Sequence, residues 1–211
     1  MKKALAIDLD GTLLATNTFR DYLAFCGRLS LNALRFDLAL SIAFWVALRK
    51  VRVISHSTMK GRLLSRTASF MQRRGRLDLF VEHELLAVNT HVLQFMEQYR
   101  NRGHLLVLCT AAPGMYAHPI AENLHIDLCC ATLLPSEVVI GRWHENVGQH
   151  KVDALRRMLQ VHKAELDVVI TDHHDDLPLL NSNEGSNFVV APSSETQQLL
   201  QKSCSKPYTI I

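Results

Sequence analysis

Three short apolar runs, each closed by a polar residue, frame the chain: KALAID at residues 3–8, HLLVLCT at 104–110 and LDVVITD at 166–172. None alternates polar with apolar positions, so each predicts a strand buried on both faces, the pattern of a parallel sheet covered by helices. In open α/β sheets of this kind ligands bind at the carboxyl ends of the strands, where the three polar closures gather. Residues 82–103 repeat apolar positions at helical spacing and stop at Gly103, and residues 150–162 do the same ahead of the third run. Both segments predict crossover helices. Between about 15 and 81 no strand pattern occurs. The expected organisation is an α/β core of residues 1–14 and 82–211, with an all-helical cap, 15–81, inserted after the first strand.

Within that insertion, residues 38–48 (LALSIAFWVAL) run for eleven positions without a charge. A membrane span needs about 20 apolar residues, and Arg35, Asp37, Arg49 and Lys50 bracket this run. It reads as a buried helix of the cap, with Phe44, Trp45 and Met59 in the cap core; the alternative is a helix lying on a membrane surface. Charge changes the picture. Residues 28–76 carry eleven basic side chains and one acid, a local +10, while the rest carries 12 basic and 19 acidic, or −7, within an overall +3. So lopsided a block attracts anions, whether a phosphorylated substrate or an anionic lipid surface, unless it is simply a solvated face. Peripheral membrane contact through the basic cap is thus one expected partnership, and nucleic acid is not expected as a partner.

At 211 residues, with 48% hydrophobic and 20% charged positions, the chain has the size of one core domain plus an insertion. Its five cysteines (Cys26, Cys109, Cys129, Cys130, Cys204) are odd in number and form no CxxC pair, so neither a disulfide framework nor a zinc site is expected. Cys129 and Cys130 read as packing. The first apolar run stops after four residues at Asp8, too short for a secretory signal, and the expected location is cytoplasmic.

The polar closures carry the chemistry. DLDGT, residues 8–12, sets Asp8 and Asp10 at one strand end, where Gly11 lets the chain turn. Neighbouring carboxylates repel unless a proton or cation lies between them. Together with Asp172, Asp175 and Asp176 of the third closure, they predict an acidic pocket of hard oxygen ligands suited to Mg²⁺. Thr110 and Ala111 close the second run with a hydroxyl and uncovered amides, a cradle for phosphate. Lys151 supplies a cation that offsets phosphate and carboxylate charge together. Acid, metal, hydroxyl and lysine at one sheet edge point to phosphoryl chemistry.

The order DxDGT, strand-end Thr, isolated Lys and D-x-x-x-D followed by L-P, running from residue 5 to about 192, resembles the haloacid dehalogenase superfamily. LCTAAPGMYAHPIAENL and GQHKVDAL are similar to its phosphoserine-phosphatase-like branch, whose members insert a helical cap between the first two motifs. The resemblance implies a Rossmann-like parallel sheet sandwiched by helices, a Mg²⁺ cofactor and hydrolysis of phosphomonoesters through an aspartyl-phosphate. It implies Asp8 as nucleophile, and Asp10 as acid for the leaving alcohol and then base for water. Gly11, Thr110, the Ala111 amide and Lys151 would hold the phosphoryl group. Asp8, the Asp10 carbonyl and Asp172 would ligate the metal, with Asp176 positioning a metal-bound water or Lys151.

Some positions depart from that pattern. Asn17 stands where phosphoserine phosphatases carry a glutamate for the substrate ammonium, and Thr171 and His173 flank Asp172 where small residues are usual. The basic, apolar cap is similar to that of bacterial members acting on lipid phosphates such as phosphatidylglycerophosphate. The expected substrate is an anionic phosphorylated metabolite or a lipid phosphate, with a phosphoserine-type small metabolite as the alternative. A different class, the receiver module that accepts and holds a phosphoryl group, uses the same kinds of group, but its lysine comes last and it has no helical insertion. His173 and His174 stay open between metal ligation and loop contacts, and Trp143 between a hairpin near the site and an edge cover.

Overall fold

The first apolar run folds as β1, Lys2–Ile7, in the middle of a six-stranded sheet; the computed structural model describes residues 1–139 and 142–211. The other strands are β2 (Leu105–Pro113), β3 (Leu128–Thr132), β4 (Ala164–Thr171), β5 (Ser186–Val189) and β6 (Thr209–Ile210). They lie in the order β3-β2-β1-β4-β5-β6, and every pairing is parallel. The order reverses between β1 and β4, which in doubly wound sheets marks the crevice where ligands bind. Asp8 follows β1 and Asp172 follows β4, so the first and third polar closures meet at that crevice.

Strand alternation explains why both faces are covered. In β1, Leu5 and Ile7 face one apolar cluster while Ala4 and Ala6 face the other. Leu106 and Leu108 of β2, and Val168 and Ile170 of β4, join the first, whereas Val107, Cys109 and Val169 join the second. The first face is covered by α5 (Thr90–Asn101) through Val92 and Met96, and by α6 (Gly114–Asn123) through Tyr116, Ala117 and Ile120. The second is covered by α7 (Gly148–Val161) through Val152, Leu155 and Leu159, by α8 (Leu177–Ser182) and by α9 (Ser194–Ser203). A parallel sheet covered by helices is as expected from the apolar runs, and the Rossmann-like sandwich is as the resemblance implies. All five cysteines are unbridged, and Cys130 lies buried opposite Cys109 in the β2–β3 register.

Four helices are inserted between β1 and α5: α1 (Thr18–Asn32), α2 (Phe36–Lys50), α3 (His56–Met71) and α4 (Arg76–Leu85). Where the chain leaves and returns, Ala15 N–H donates to the Ala87 carbonyl at 2.8 Å and Asn89 N–H to the Leu13 carbonyl at 2.9 Å. An antiparallel bridge joins Leu14 to Val88 between them. The cap then docks through an aromatic trio. Tyr22 of α1 and Phe80 of α4 pack on Tyr116 of α6, with ring centroids 5.2–5.7 Å apart.

The structure corrects several expectations. The single helix expected over 82–103 is two, α4 and α5, because residues 86–89 are spent on the bridge to Leu14 and Asn89 caps a new helix by accepting from Val92 N–H. Strands β3, β5 and β6 were not anticipated; each is five residues or shorter and offers too little pattern. α2 is helical as expected but mostly exposed: only Leu38 and Ile42 are buried, while Phe44 is 56% exposed rather than part of the cap core. Met59 is buried and Trp45 partly so. Trp143 pairs with no strand among the described residues. Its indole lies on Gly61 of α3, where an added Cβ would stand 3.0 Å from the ring, and its N–H donates to the Leu133 carbonyl.

Candidate active site

Asp8 is the first residue past β1, and its N–H extends the ladder by donating to the Ile170 carbonyl at 2.9 Å. That bond aims its carboxylate at the end of β4. Lys151, buried in the first turn of α7, donates to Asp8 Oδ1 at 2.9 Å and to the two oxygens of Asp176 at 2.7 and 2.8 Å. Thr171 Oγ1 donates to the same Asp176 carboxylate at 2.7 Å, so Asp176 is committed to holding Lys151 and the strand end. Asp172 accepts from Thr12 Oγ1 at 3.1 Å. Gly11, at φ +75°, leaves the space that the Asp172 carboxylate fills; any Cβ there would collide with it. Glycine is thus required at this turn by backbone conformation and by contact.

Asp10 points its side chain toward the cap, where Oδ1 accepts from Thr18 N–H at 2.7 Å at the start of α1. Thr110 and Ala111 line the same cleft, and Thr110 Oγ1 accepts from Ala112 N–H. The cleft holds about 750 Å³. Asp8, Asp10, Gly11, Thr110, Ala111, Lys151, Asp172 and Asp176 are all brought to its walls, although they come from four separate stretches of chain.

Electrostatics in the cleft follow from burial. Desolvation pushes the Asp8 carboxyl up to about 7 against the pull of Lys151, and raises Asp10 and Asp172 as well. Burial alone would lower Lys151, yet Asp176 and Asp8 hold it well above the ordinary lysine range, permanently charged. One buried ammonium among four carboxylates leaves a deficit of positive charge. That donor set of hard oxygens fits a small divalent cation.

Sequence reasoning missed the cap's contribution. Phe19, His56 and Lys60 line the cleft together with Glu145 and Val147 from the segment before α7. Lys60 Nζ donates to Glu145 at 2.7 Å and to the Ala111 carbonyl at 2.9 Å, with both side chains buried. The signal was present: Lys60 falls on the stripe Met59, Leu63, Leu64 and Thr67 that α3 turns inward. Asn146 was missed too; its side chain donates to the Thr110 and Cys130 carbonyls and ties this segment to β2 and β3. The rings of His173 and His174 lie 4.0 Å apart, tilted by 34°. His173 Nδ1 accepts from Asp175 N–H and His174 Nδ1 pairs with Thr196 Oγ1. Their ligand atoms and that of Asp175 lie within 4.8 Å of one another.

Residues 5–181 match the model of the haloacid dehalogenase-like hydrolase family, and the chain belongs to that family. It is a hydrolase on the scaffold that phosphoserine phosphatases use. Among solved structures it is similar to a protein of unknown function from Bordetella pertussis Tohama I, at 17% identity and TM-score 0.78 over 100% of this chain and 98% of that one. A phosphoserine phosphohydrolase-like protein from Francisella tularensis aligns at 14% identity and TM-score 0.57, covering 99% of this chain and 95% of its own. A phosphoserine phosphatase holding a phospho-aspartyl intermediate analogue aligns at 13% identity and TM-score 0.55, covering 94% and 91%. At these identities the likeness is one of fold. No curated protein matches the sequence.

Proposed function

We propose that the protein is a Mg²⁺-dependent phosphomonoesterase working through an aspartyl-phosphate on Asp8. The observation that carries this reading is the Asp8–Lys151–Asp176 chain of contacts, which fixes one carboxylate in the wall of a cleft rich in further carboxylates. The Asp8 carboxylate attacks phosphorus and displaces the alcohol, while Lys151 holds the charge of nucleophile and phosphoryl oxygens and the Thr110 hydroxyl and Ala111 amide orient the group. Asp10, protonated more readily than an ordinary aspartate, gives its proton to the departing alkoxide. It then takes a proton from the water that attacks the acyl phosphate, which releases phosphate and restores the Asp8 carboxylate. Asp8, the Asp10 carbonyl and Asp172 would hold Mg²⁺, whose charge supports the transferring phosphoryl group. Incubation with p-nitrophenyl phosphate tests this: steady turnover that EDTA abolishes and Mg²⁺ restores is expected. A single stoichiometric phosphorylation without turnover would assign the chain to the receiver class.

We further propose a substrate that is a phosphorylated anionic metabolite or lipid phosphate, reached from the cytoplasmic face of a membrane. What favours the membrane is α2 and its flanking turns, where Leu34, Phe36, Leu40, Phe44, Val51 and Val53 are each more than half exposed. Phe36, Leu40 and Phe44 recur every four residues and share one helix face. Arg35, Arg49, Lys50 and Arg52 lie at its ends, and beside the α1–α2 turn a hollow of about 420 Å³ is lined by Arg35, Arg66, Arg73, Arg74 and Arg76. An apolar face rimmed by cations suits an anionic bilayer surface. Among the described residues no helix is long and apolar enough to cross a membrane. Co-sedimentation with anionic vesicles that high salt weakens is expected, and equal indifference to anionic and zwitterionic vesicles would remove the membrane from the reading.

A further inference from the structure

The wall that the cap gives to the cleft differs in chemistry from the core side. The core side concentrates charge: Asp8, Asp10, Asp172 and Asp176 around Lys151. The cap side contributes Asn17, Phe19, His56 and Lys60, closed by Glu145. The two charged groups there, Lys60 and Glu145, are already engaged with each other. The Lys60 ammonium is neutralised by Glu145 at 2.7 Å, with the two side chains only 4% and 9% exposed, and its other bond goes to the Ala111 carbonyl. It also lies 5.1 Å from the Phe19 ring centroid. Asn17 Oδ1 accepts from Arg20 N–H as the cap of α1, and its amide carries no charge to pair with a ligand's. Burial keeps His56 below the usual histidine range; Lys60 and Arg49 add to this and Glu145 opposes it. Asp175, 65% exposed, stands on the core rim against His173 and His174.

A charged leaving group would need a partner on this wall. A carboxylate would compete with Glu145 for Lys60, and displacing Glu145 strands a buried acid. An ammonium would have to share Glu145 with Lys60, which weakens the hold on a buried cation. Hydroxyl groups meet no such obstacle, since they exchange hydrogen bonds without unpairing a charge.

We propose that the Lys60–Glu145 pair selects phosphomonoesters whose leaving alcohol is uncharged next to the ester, a neutral polyol of the glycerol type, and rejects amino-acid and hydroxy-acid alcohols. This rests on the phosphatase reading and names its substrate class. A lipid phosphomonoester with a glycerol unit at the ester meets the same condition.

Glycerol 3-phosphate and 3-phosphoglycerate, which differ by a hydroxymethyl against a carboxylate, test it with O-phosphoserine as a third probe. Wild type should favour glycerol 3-phosphate in kcat/KM by at least about tenfold over either of the others, the scale on which an unpaired buried charge discriminates. Glu145→Gln frees Lys60 and should move the ratio toward 3-phosphoglycerate by about tenfold. Lys60→Met/Glu145→Leu, which removes both charges, keeps the wall neutral and should keep the wild-type order. Titration calorimetry of the same probes on Asp8→Asn protein reads the order without turnover. A wild-type preference for either charged alcohol, or a ratio unmoved by Glu145→Gln, overturns the proposal. Loss of p-nitrophenyl phosphate turnover with the calorimetric order intact would sink the phosphatase reading and leave the pair's role standing.

Discussion

Lys151 and Lys60 are both buried ammonium groups in one cleft, and their partners separate their roles. Lys151 is shared between Asp8 and Asp176, so an incoming phosphoryl group can draw on its charge; Lys60 is matched one to one by Glu145. Replacing Asp8 by Asn should cut kcat by at least roughly 10³-fold, as loss of a nucleophile does. Its melting temperature should stay at or above that of wild type, because a buried carboxyl held up near 7 is no source of stability at neutral pH. A parallel fall in activity and melting temperature would mean that the residue is structural. At the second lysine, Glu145→Ala should cost about 3–5 kcal/mol by stranding Lys60, whereas the double variant Lys60→Met/Glu145→Leu should recover most of that loss. Urea denaturation measures both, and additive losses in the double variant would contradict the pairing.

At the scale of elements, α2 is where the account is most exposed to test. Changing Phe36, Leu40 and Phe44 together to Gln should leave folding stability within about 0.5 kcal/mol per site, since all three already face water. Vesicle binding should weaken by at least about tenfold. If binding is unchanged, the face has another use. The helix also shows what the sequence could convey. Its eleven uncharged residues announced a helix, but an apolar run with no polar face gives periodicity nothing to measure, so which side was buried could not be read. β1, β2 and β4 were legible because each is a continuous apolar run closed by polar chemistry; β5 and β6, four and two residues long, were not. The break between α4 and α5 was hidden because Val88, apolar and at helical spacing, pairs with Leu14 instead of continuing a turn. The core side of the site was visible in its motifs. The Lys60–Glu145 pair was not, because 85 residues separate the partners and only the docking of the cap joins them.

Across the whole molecule, docking of cap on core has an acid–base consequence at the neck. Glu84 is buried there beside Thr16, and desolvation, reinforced by Asp21 and Asp10, pushes its carboxyl up to about 7. Its unfolded value is about 4.3. The folded state therefore binds a proton that the unfolded state releases between those values, and stability contributed by neutral Glu84 falls as pH rises through that window. Glu84→Gln should melt close to wild type at pH 4 and progressively higher than wild type up to pH 7, with the gap constant above. A gap that shrinks with rising pH would reverse the sign and contradict the burial argument.

On the proposed reading the basic cap gathers an anion and the acidic core performs chemistry on it. That division has force only if the first acidic residue of the chain takes the phosphoryl group. Acid quenching of Asp10→Asn protein during turnover of p-nitrophenyl phosphate, whose leaving group needs no acid, followed by peptide mass mapping, tests this most directly. One phosphoryl group on Asp8 is expected, accumulating because the water-activating base is gone. Phosphate released with Asp8 unmodified, or a phosphoryl group on any other residue, would contradict it.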